Sequence, residues 1–310
     1  MPTLERLVTG PHRVVGVVSQ PDRPRGRGRR LSPSPVSERA LAAGLPLLRP
    51  ERVGEPAAVA ALRELAPDLG VVVAFGQFLP KSVRELPRLG YLINAHASLL
   101  PRHRGAAPIA YAILAGDMET GISIMRVERE MDAGAVCAVK RTPIAADDTA
   151  GSLEPRLAAL AAEAVAEALD EIAGRRAQWT PQDDAEASFA PKLGPADARL
   201  DPLRPAAELA RRVRALAPRP GAALQLDGAP LRIHAAHAEP GPVDRAPGVV
   251  ARAGARLRLA TGDGWLVLDR LQRAGGRALA TAELLRGFDV PDGARLEAPS
   301  ARGGDRAAAE

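Results

Sequence analysis

The chain is 310 residues long, 46% hydrophobic and 25% charged, with a formal net charge of +5. Length and composition give a globular protein able to bury a sizeable core in two domains, and the single cysteine, Cys137, excludes an internal disulfide framework. No apolar run is long enough to span a bilayer and the N-terminus lacks a basic-then-apolar leader, so a cytoplasmic protein without membrane insertion is expected.

The first half alternates strand-like with helix-like stretches. Arg13–Val18 reads as a buried strand and Leu69–Phe75 as another, followed by Tyr91–Ala95 and Ile122–Val127. Ala135–Lys140 is expected to pair antiparallel at an edge, with Cys137 as a small hydrophobe inside it. Ser37–Ala43, Pro56–Leu65 and Pro108–Ala115 have helix composition. Near-continuous apolar strands separated by helices predict an α/β fold with a doubly wound, mostly parallel sheet covered on both faces. Such sheets bind ligands outside the carboxyl ends of their strands. Phe75-Gly76 ends one strand there, and Asn94-Ala95-His96 ends another.

Side chains two apart on a strand share a face, so Asn94 and His96 stand side by side. That sets an amide donor beside a group that exchanges protons near neutral pH. Asp132, in Glu130-Met131-Asp132-Ala133-Gly134, is the candidate carboxylate to fix the imidazole tautomer. The three suit attack on a carbonyl carbon, where charge develops on oxygen while a proton leaves the nucleophile. Asp147-Asp148-Thr149 reads as a helix cap rather than a metal pair. His103 is expected to be solvated between its arginines, and His12, His234 and His237 show no partner pattern.

The stretch from Pro21 to Arg30 follows a strand onto the same rim and holds five arginines against one aspartate. Its prolines and glycines predict an irregular loop, and its guanidinium groups suit the phosphates of a nucleic-acid backbone. Gly26-x-Gly28 is too weak to mark a nucleotide site, and no zinc spacing or phosphate-loop lysine motif occurs.

Glu154–Ala173 reads as a long amphipathic helix ended by Gly174. A polar, proline-containing linker, 175–204, is expected to separate a catalytic domain, 1–174, from a second domain, 205–298. The second domain opens with a helix over Ala206–Ala217. Five short strands follow: Ala222–Leu226, Pro230–Ala236, Gly248–Arg252, Leu257–Thr261 and Trp265–Leu271. With turn signals at Asp227-Gly228 and Gly262-Asp263-Gly264, they predict a small, OB-like β-barrel. Residues 205–298 carry 14 Arg against 10 acidic residues, a modest basic excess. A tail, 299–310, is expected to be disordered.

Several motifs resemble the methionyl-tRNA formyltransferases. They are Ser19-Gln20-Pro21-Asp22-Arg23-Pro24, Asn94-Ala95-His96-Ala97-Ser98-Leu99-Leu100-Pro101, Arg104-Gly105-Ala106-Ala107-Pro108, Gly116-Asp117-x-Glu119-Thr120-Gly121 and Met131-Asp132-Ala133-Gly134. The likeness runs in order from about residue 3 to residue 296. It implies formyl transfer from 10-formyltetrahydrofolate, without a metal, to the amino group of methionine on initiator tRNA. Asn94 would hold the formyl oxygen, His96 would move the proton of the attacking amine, and Asp132 would orient His96. Ser98, Leu99, Leu100, Pro101, Phe75 and Gly76 would contact the folate. Arg23, Arg25, Arg27, Arg29 and Arg30 would grip the tRNA acceptor end, with the chain acting as a monomer.

The chain departs from the family pattern at Ala95 and Ala97, where Val and Gly are usual, and around Leu216–Gly221, where aromatics are usual. The family's opening strand and Gly-Thr-Pro turn, which precede the helix that Thr3–Leu7 resembles, are absent. Losing a central strand would leave two inner sheet edges unpaired. The expectation is a start codon lying upstream of Met1. Two other readings stand beside the leading one. One is an RNA-binding relative without catalysis; the other is a formyltransferase for a small amine or a sugar nucleotide. The arginine loop and the basic second domain separate the leading reading from the latter.

Overall fold

A computed structural model of the chain describes residues 1–25 and 30–299. The chain divides into two compact units. One comprises Met1–Pro108, Glu119–Pro143 and Pro155–Ala190; the other comprises Ile109–Met118, Ile144–Glu154 and the chain from Pro191 onward.

Helix α1 (Pro2–Val8) opens on a proline, which suits a first turn because its missing N–H has no helical partner there. Strand β1 (Val17–Val18) follows, then β2 (Arg23–Arg25) and β3 (Arg30–Ser32), paired as an antiparallel hairpin. This corrects the expectation of an irregular arginine loop at its flanks. Both strands of a two-stranded ribbon are edges, and an edge tolerates Pro24 without losing a ladder bond. Helix α2 (Pro35–Ala42) is capped by Ser34, whose hydroxyl accepts the Ser37 N–H at 3.0 Å. Strand β4 (Leu47–Leu48) pairs parallel with β1.

Helix α3 (Pro56–Glu64), β5 (Gly70–Val72), α4 (Lys81–Arg84), β6 (Leu92–His96) and β7 (Arg104–Gly105) come next. Helix α5 (Pro108–Ala115) precedes β8 (Glu119–Arg126) and β9 (Val136–Pro143). Strands β5, β6, β8 and β9 form a four-stranded sheet in that order, parallel between β5 and β6 and antiparallel beyond. Helix α6 (Ala150–Ala173) starts at Thr149, whose hydroxyl accepts the Ser152 N–H at 3.1 Å, so the Asp147–Thr149 stretch is a helix cap. Leu157, Ala161, Ala164, Val165, Ala168 and Ile172 repeat at helical spacing and are all buried.

Sequence 13–18 contributes only two residues to a strand, and the reason lies in its neighbours. Val18 of β1 and Val72 of β5 pack into one apolar cluster around Val53, Val59, Val83 and Leu92, yet β1 pairs only with β4 and β5 only with β6. At their carboxyl ends the Gln20 amide donates to the Phe75 carbonyl at 2.5 Å. An interior-type sequence, Gly70-Val71-Val72, is thus only half-buried. The sheet is in two pieces, with unpaired edges on β1 and β5 among the described residues.

Part of the stretch 175–204 is laid along the first unit. Thr180 bridges Val136, and β10 (Phe189–Ala190) pairs parallel with β7.

In the second unit, α7 (Ala206–Leu216) buries Leu209, Val213 and Leu216 in the same core as Leu224, Leu231, Ile233, Leu257 and Leu259. The strands are β11 (Ala222–Leu226), β12 (Ala229–Glu239), β13 (Val250–Ala253), β14 (Arg256–Ala260), β15 (Trp265–Arg273) and β16 (Leu279–Ala280). Helix α8 (Thr281–Leu284) and β17 (Leu296–Glu297) complete the unit. The order β13-β14-β15-β12-β11-β17 is antiparallel, and a bridge from Val249 to Arg295 joins its two ends, curling the sheet into the small barrel the turns predict. Asp227 and Gly228, both at positive φ (49° and 78°), make the two-residue hairpin between β11 and β12. Residues 300–310 of the expected tail lie outside the described residues.

Candidate active site

Strand β6 is flanked by β5 and β8 and opposes Asn94 to Met125 and His96 to Ser123. Its register carries Asn94 and His96 to the carboxyl rim on the same face, as period two requires. His96 is 5% exposed. Asn94 is half-buried, and its side-chain amide makes no hydrogen bond among the described residues, which leaves both its donor and its acceptor for a ligand.

Both ring nitrogens of the imidazole face an oxygen. Nε2 lies 2.9 Å from the His103 carbonyl oxygen, which only accepts, so Nε2 carries a hydrogen. Nδ1 then faces Asp132 Oδ2 at 3.6 Å. The same Asp132 oxygen accepts the Gly105 N–H at 2.9 Å. A Cβ on Gly105 would meet the Ala190 carbonyl oxygen at 2.6 Å, and its φ is +126°, so only glycine brings that N–H to the carboxylate.

His103 is not solvated, contrary to expectation. It is 6% exposed at φ +59°, and its N–H donates to Ser188 Oγ at 2.9 Å. The reason is tertiary. The turn after β6 curls back so that Ser98 Oγ donates to the Arg102 carbonyl at 2.6 Å and Ser123 Oγ donates to the Ser98 carbonyl at 2.8 Å. Ser123 Oγ also accepts the Leu100 N–H at 3.1 Å. Ser98 therefore braces the turn through its hydroxyl, while Leu99, Leu100 and Pro101 are half-buried at the rim. The strand expected to run to Phe75 ends at Val72, so Phe75 and Gly76 lie just past β5 on the same rim, beyond Val73, which is 40% exposed for an apolar residue. Apolar side chains next to a free amide suit a flat heteroaromatic ligand presenting a carbonyl.

Of the five arginines singled out for a nucleic-acid backbone, Arg23 is exposed on β2, while Arg25 and Arg30 lie in the hairpin strands. Arg27 and Arg29 lie outside the described residues. The other histidines do have partners, contrary to expectation: His12 with Asp170 at 2.9 Å, His234 with Gln272 at 2.7 Å and His237 with Asp269 at 2.8 Å. Each pairing spans elements far apart in sequence, which no local pattern announces. Cys137 on β9 is half-buried, and burial pushes its thiol up to about 11, so it is not a nucleophile at neutral pH. Among the described residues no three His, Cys, Asp or Glu side chains cluster as a metal site.

Sequence reasoning missed the groups that hold the site: the His103 carbonyl, Ser123, Ser188, Arg104 and Gln182. Arg104-Gly105 stood out as a motif, but nothing local in the polar stretch around Gln182 marks it.

The chain matches the Formyl transferase family over residues 3–169 and the formyl transferase C-terminal domain over residues 192–289. It is 49% identical to the methionyl-tRNA formyltransferase of Halorhodospira halophila, over 93% of this chain and 92% of that one. It is 48% identical to that of Thiobacillus denitrificans, over 95% of each. Among solved structures, the N-formyltransferase from Helicobacter canadensis, in complex with folinic acid and dTDP-3-aminofucose, superposes with a TM-score of 0.64 at 14% identity, covering 87% of this chain and 94% of that one. HypX from Aquifex aeolicus, in complex with tetrahydrofolic acid, gives 0.55 at 22% identity, covering 76% of this chain and 43% of that one. At those identities the structural likeness speaks to the fold.

Proposed function

The chain belongs to the formyl transferase family, and from that premise we propose that it transfers a formyl group from 10-formyltetrahydrofolate to the amino group of methionyl initiator tRNA. The observation that carries the mechanism is the Asn94 amide, unpartnered among the described residues, standing beside buried His96. The donor supplies a formyl group already activated for transfer. Attack by the methionine amine forms a C–N bond and drives charge onto the formyl oxygen, where the Asn94 N–H donates. His96 takes the proton leaving the amine and stabilises the tetrahedral species, and the bond to the folate nitrogen then breaks as that nitrogen takes up a proton. His96 takes the amine proton at Nδ1, the nitrogen without a hydrogen, and Asp132, 3.6 Å away, stabilises the imidazolium that forms.

Phe75, Gly76 and the turn from Ser98 to Pro101 form the folate side of the rim in this reading. The hairpin arginines Arg23, Arg25 and Arg30, with Arg27 and Arg29 between them, take the acceptor-end phosphates. The chain works as a monomer in the cytoplasm. No helix among the described residues is long and apolar enough to cross a membrane.

The test is formyl incorporation from 10-formyltetrahydrofolate into methionyl initiator tRNA, with an amino-sugar nucleotide as competitor acceptor. Turnover on the charged tRNA, abolished by His96→Ala, is expected. Tight tRNA binding without turnover identifies an RNA-binding relative instead, and preferential labelling of the sugar nucleotide identifies a small-molecule enzyme.

A further inference from the structure

Asp132 sits in an exposed loop: its neighbour Met131 is 71% exposed, and Asp132 itself is at φ +53°. A non-glycine residue keeps that backbone only where its surroundings hold it. One side chain does most of the holding. The Gln182 amide nitrogen donates to the main-chain carbonyls of Asp132 at 2.7 Å and of Gly134 at 2.8 Å. Its Oε1 accepts from Arg104 Nε at 2.9 Å, and this fixes which way the amide points. Arg104 is 5% exposed, and its other arm donates to Asp184 Oδ1 at 2.8 Å. The next residue, Gly105, donates its N–H to the Asp132 carboxylate. The Asp132 side chain and main chain are thus both tied to the Arg104-Gly105 dipeptide, one directly and the other through Gln182.

We propose that Gln182, oriented by Arg104, is a positioning residue for the transfer reaction. It acts by holding Asp132 at the distance from which the carboxylate steadies His96. The proposal rests on the roles given above to Asn94, His96 and Asp132. Without this brace, the carboxylate sits on a solvent-facing loop free to swing away, and small misplacements of such groups are costly in rate.

Gln182→Met removes the three bonds at nearly constant length. Gln182→Glu keeps an acceptor for Arg104 but turns a carboxylate oxygen toward two carbonyls. Both are expected to lower kcat roughly 10- to 100-fold, the scale for a partner that orients an active-site group. KM for tRNA and for folate stays within about twofold. In an Asp132→Asn background, Gln182→Met costs less than about twofold, because its effect runs through the missing carboxylate. Independently of turnover, the His96 ring 15N and 1H resonances, assigned by their loss in His96→Gln, move in Gln182→Met as they do in Asp132→Asn.

Unmoved ring resonances, a full rate cost persisting in the Asp132→Asn background, or a loss confined to KM overturns the proposal. A wild-type protein that does not formylate tRNA overturns the functional reading, while the ring resonances still decide the brace. Should Gln182→Met fail to fold, Gln182→Glu carries the same comparisons.

Discussion

His96 donates Nε2–H to the carbonyl oxygen of His103, 2.9 Å away, and so turns its other nitrogen, Nδ1, toward Asp132. The bond makes the tautomer a consequence of the turn after β6 rather than of the carboxylate alone. It also separates two functions of one side chain. A glutamine at position 96 can still donate to the His103 carbonyl, but it cannot carry a proton from the amine. His96→Gln is therefore expected to fold with its melting temperature nearly unchanged while kcat falls about 100-fold or more. A melting temperature that collapses with activity would make His96 a fold residue first.

Asn94 differs from His96 in having no bond within the protein to lose, among the described residues. Asn94→Ala is expected to leave folding intact and to lower kcat roughly 100-fold or more, the scale for removing one oxyanion donor. Steady-state kinetics decides the matter. A rise in KM alone means that Asn94 positions the substrate and does not stabilise the transition state.

The Asn94-x-His96 pair was legible because its signal is local: a strand end with period-two spacing fixes both side chains on one face. The barrel was legible for a similar reason, since Asp227-Gly228 announces its own hairpin. The brace around Asp132 and the seat of His103 were not. Gln182 and Ser188 act at sequence separations of 50 and 85 residues, from a stretch with no periodicity that reads as a linker. His103 misled because arginines on both sides look like a solvated loop, whereas the turn buries it at a positive φ. Local pattern reports which face a residue takes; it is silent on which distant chain lies over that face.

The arginines between Arg23 and Arg30 predict a salt-dependent grip. Arg27→Glu with Arg29→Glu is expected to raise KM for tRNA while leaving folate binding unchanged. The dependence of log KM on log salt is expected to flatten by about 1 to 2, roughly one unit for each phosphate no longer neutralised. An unchanged KM at moderate salt removes these two arginines from tRNA binding.

A carboxylate in the barrel predicts how stability responds to acid. Arg245 hydrogen-bonds to Asp292, which also accepts the Arg252 N–H at 2.8 Å, and these bonds hold the carboxyl below its usual value of about 3.8. A carboxyl lowered on folding stabilises above its unfolded value, and that contribution is lost as pH falls through the folded one. Asp292→Asn is therefore expected to lower the melting temperature at pH 6, with the gap to wild type closing below pH 4. A gap constant down to pH 3 would trace the loss to geometry instead of charge.

The divided sheet gives the last prediction. Among the described residues, strands β1 and β5 each pair on one side only, although Val18 and Val72 share an apolar cluster and Gln20 reaches across to Phe75. Both strands are parallel to their existing partners, so a strand between them would complete two parallel ladders at once. It would also cover Gly70-Val71-Val72, which has the composition of a buried strand and is only half-buried. Extending the N-terminus by a short β-branched strand and a tight turn before α1 is expected to raise the melting temperature by about 5 °C or more, since 1 kcal/mol shifts a domain of this size by roughly 2–4 °C. The same extension with prolines at alternate positions cannot donate to either ladder and is expected to give no gain. Amide hydrogen exchange gives the sharper readout. The β1 and β5 amides facing the inserted strand gain protection if the strand pairs with both edges, and equal protection with and without the extension would show that the two sheet pieces are already closed to a third strand.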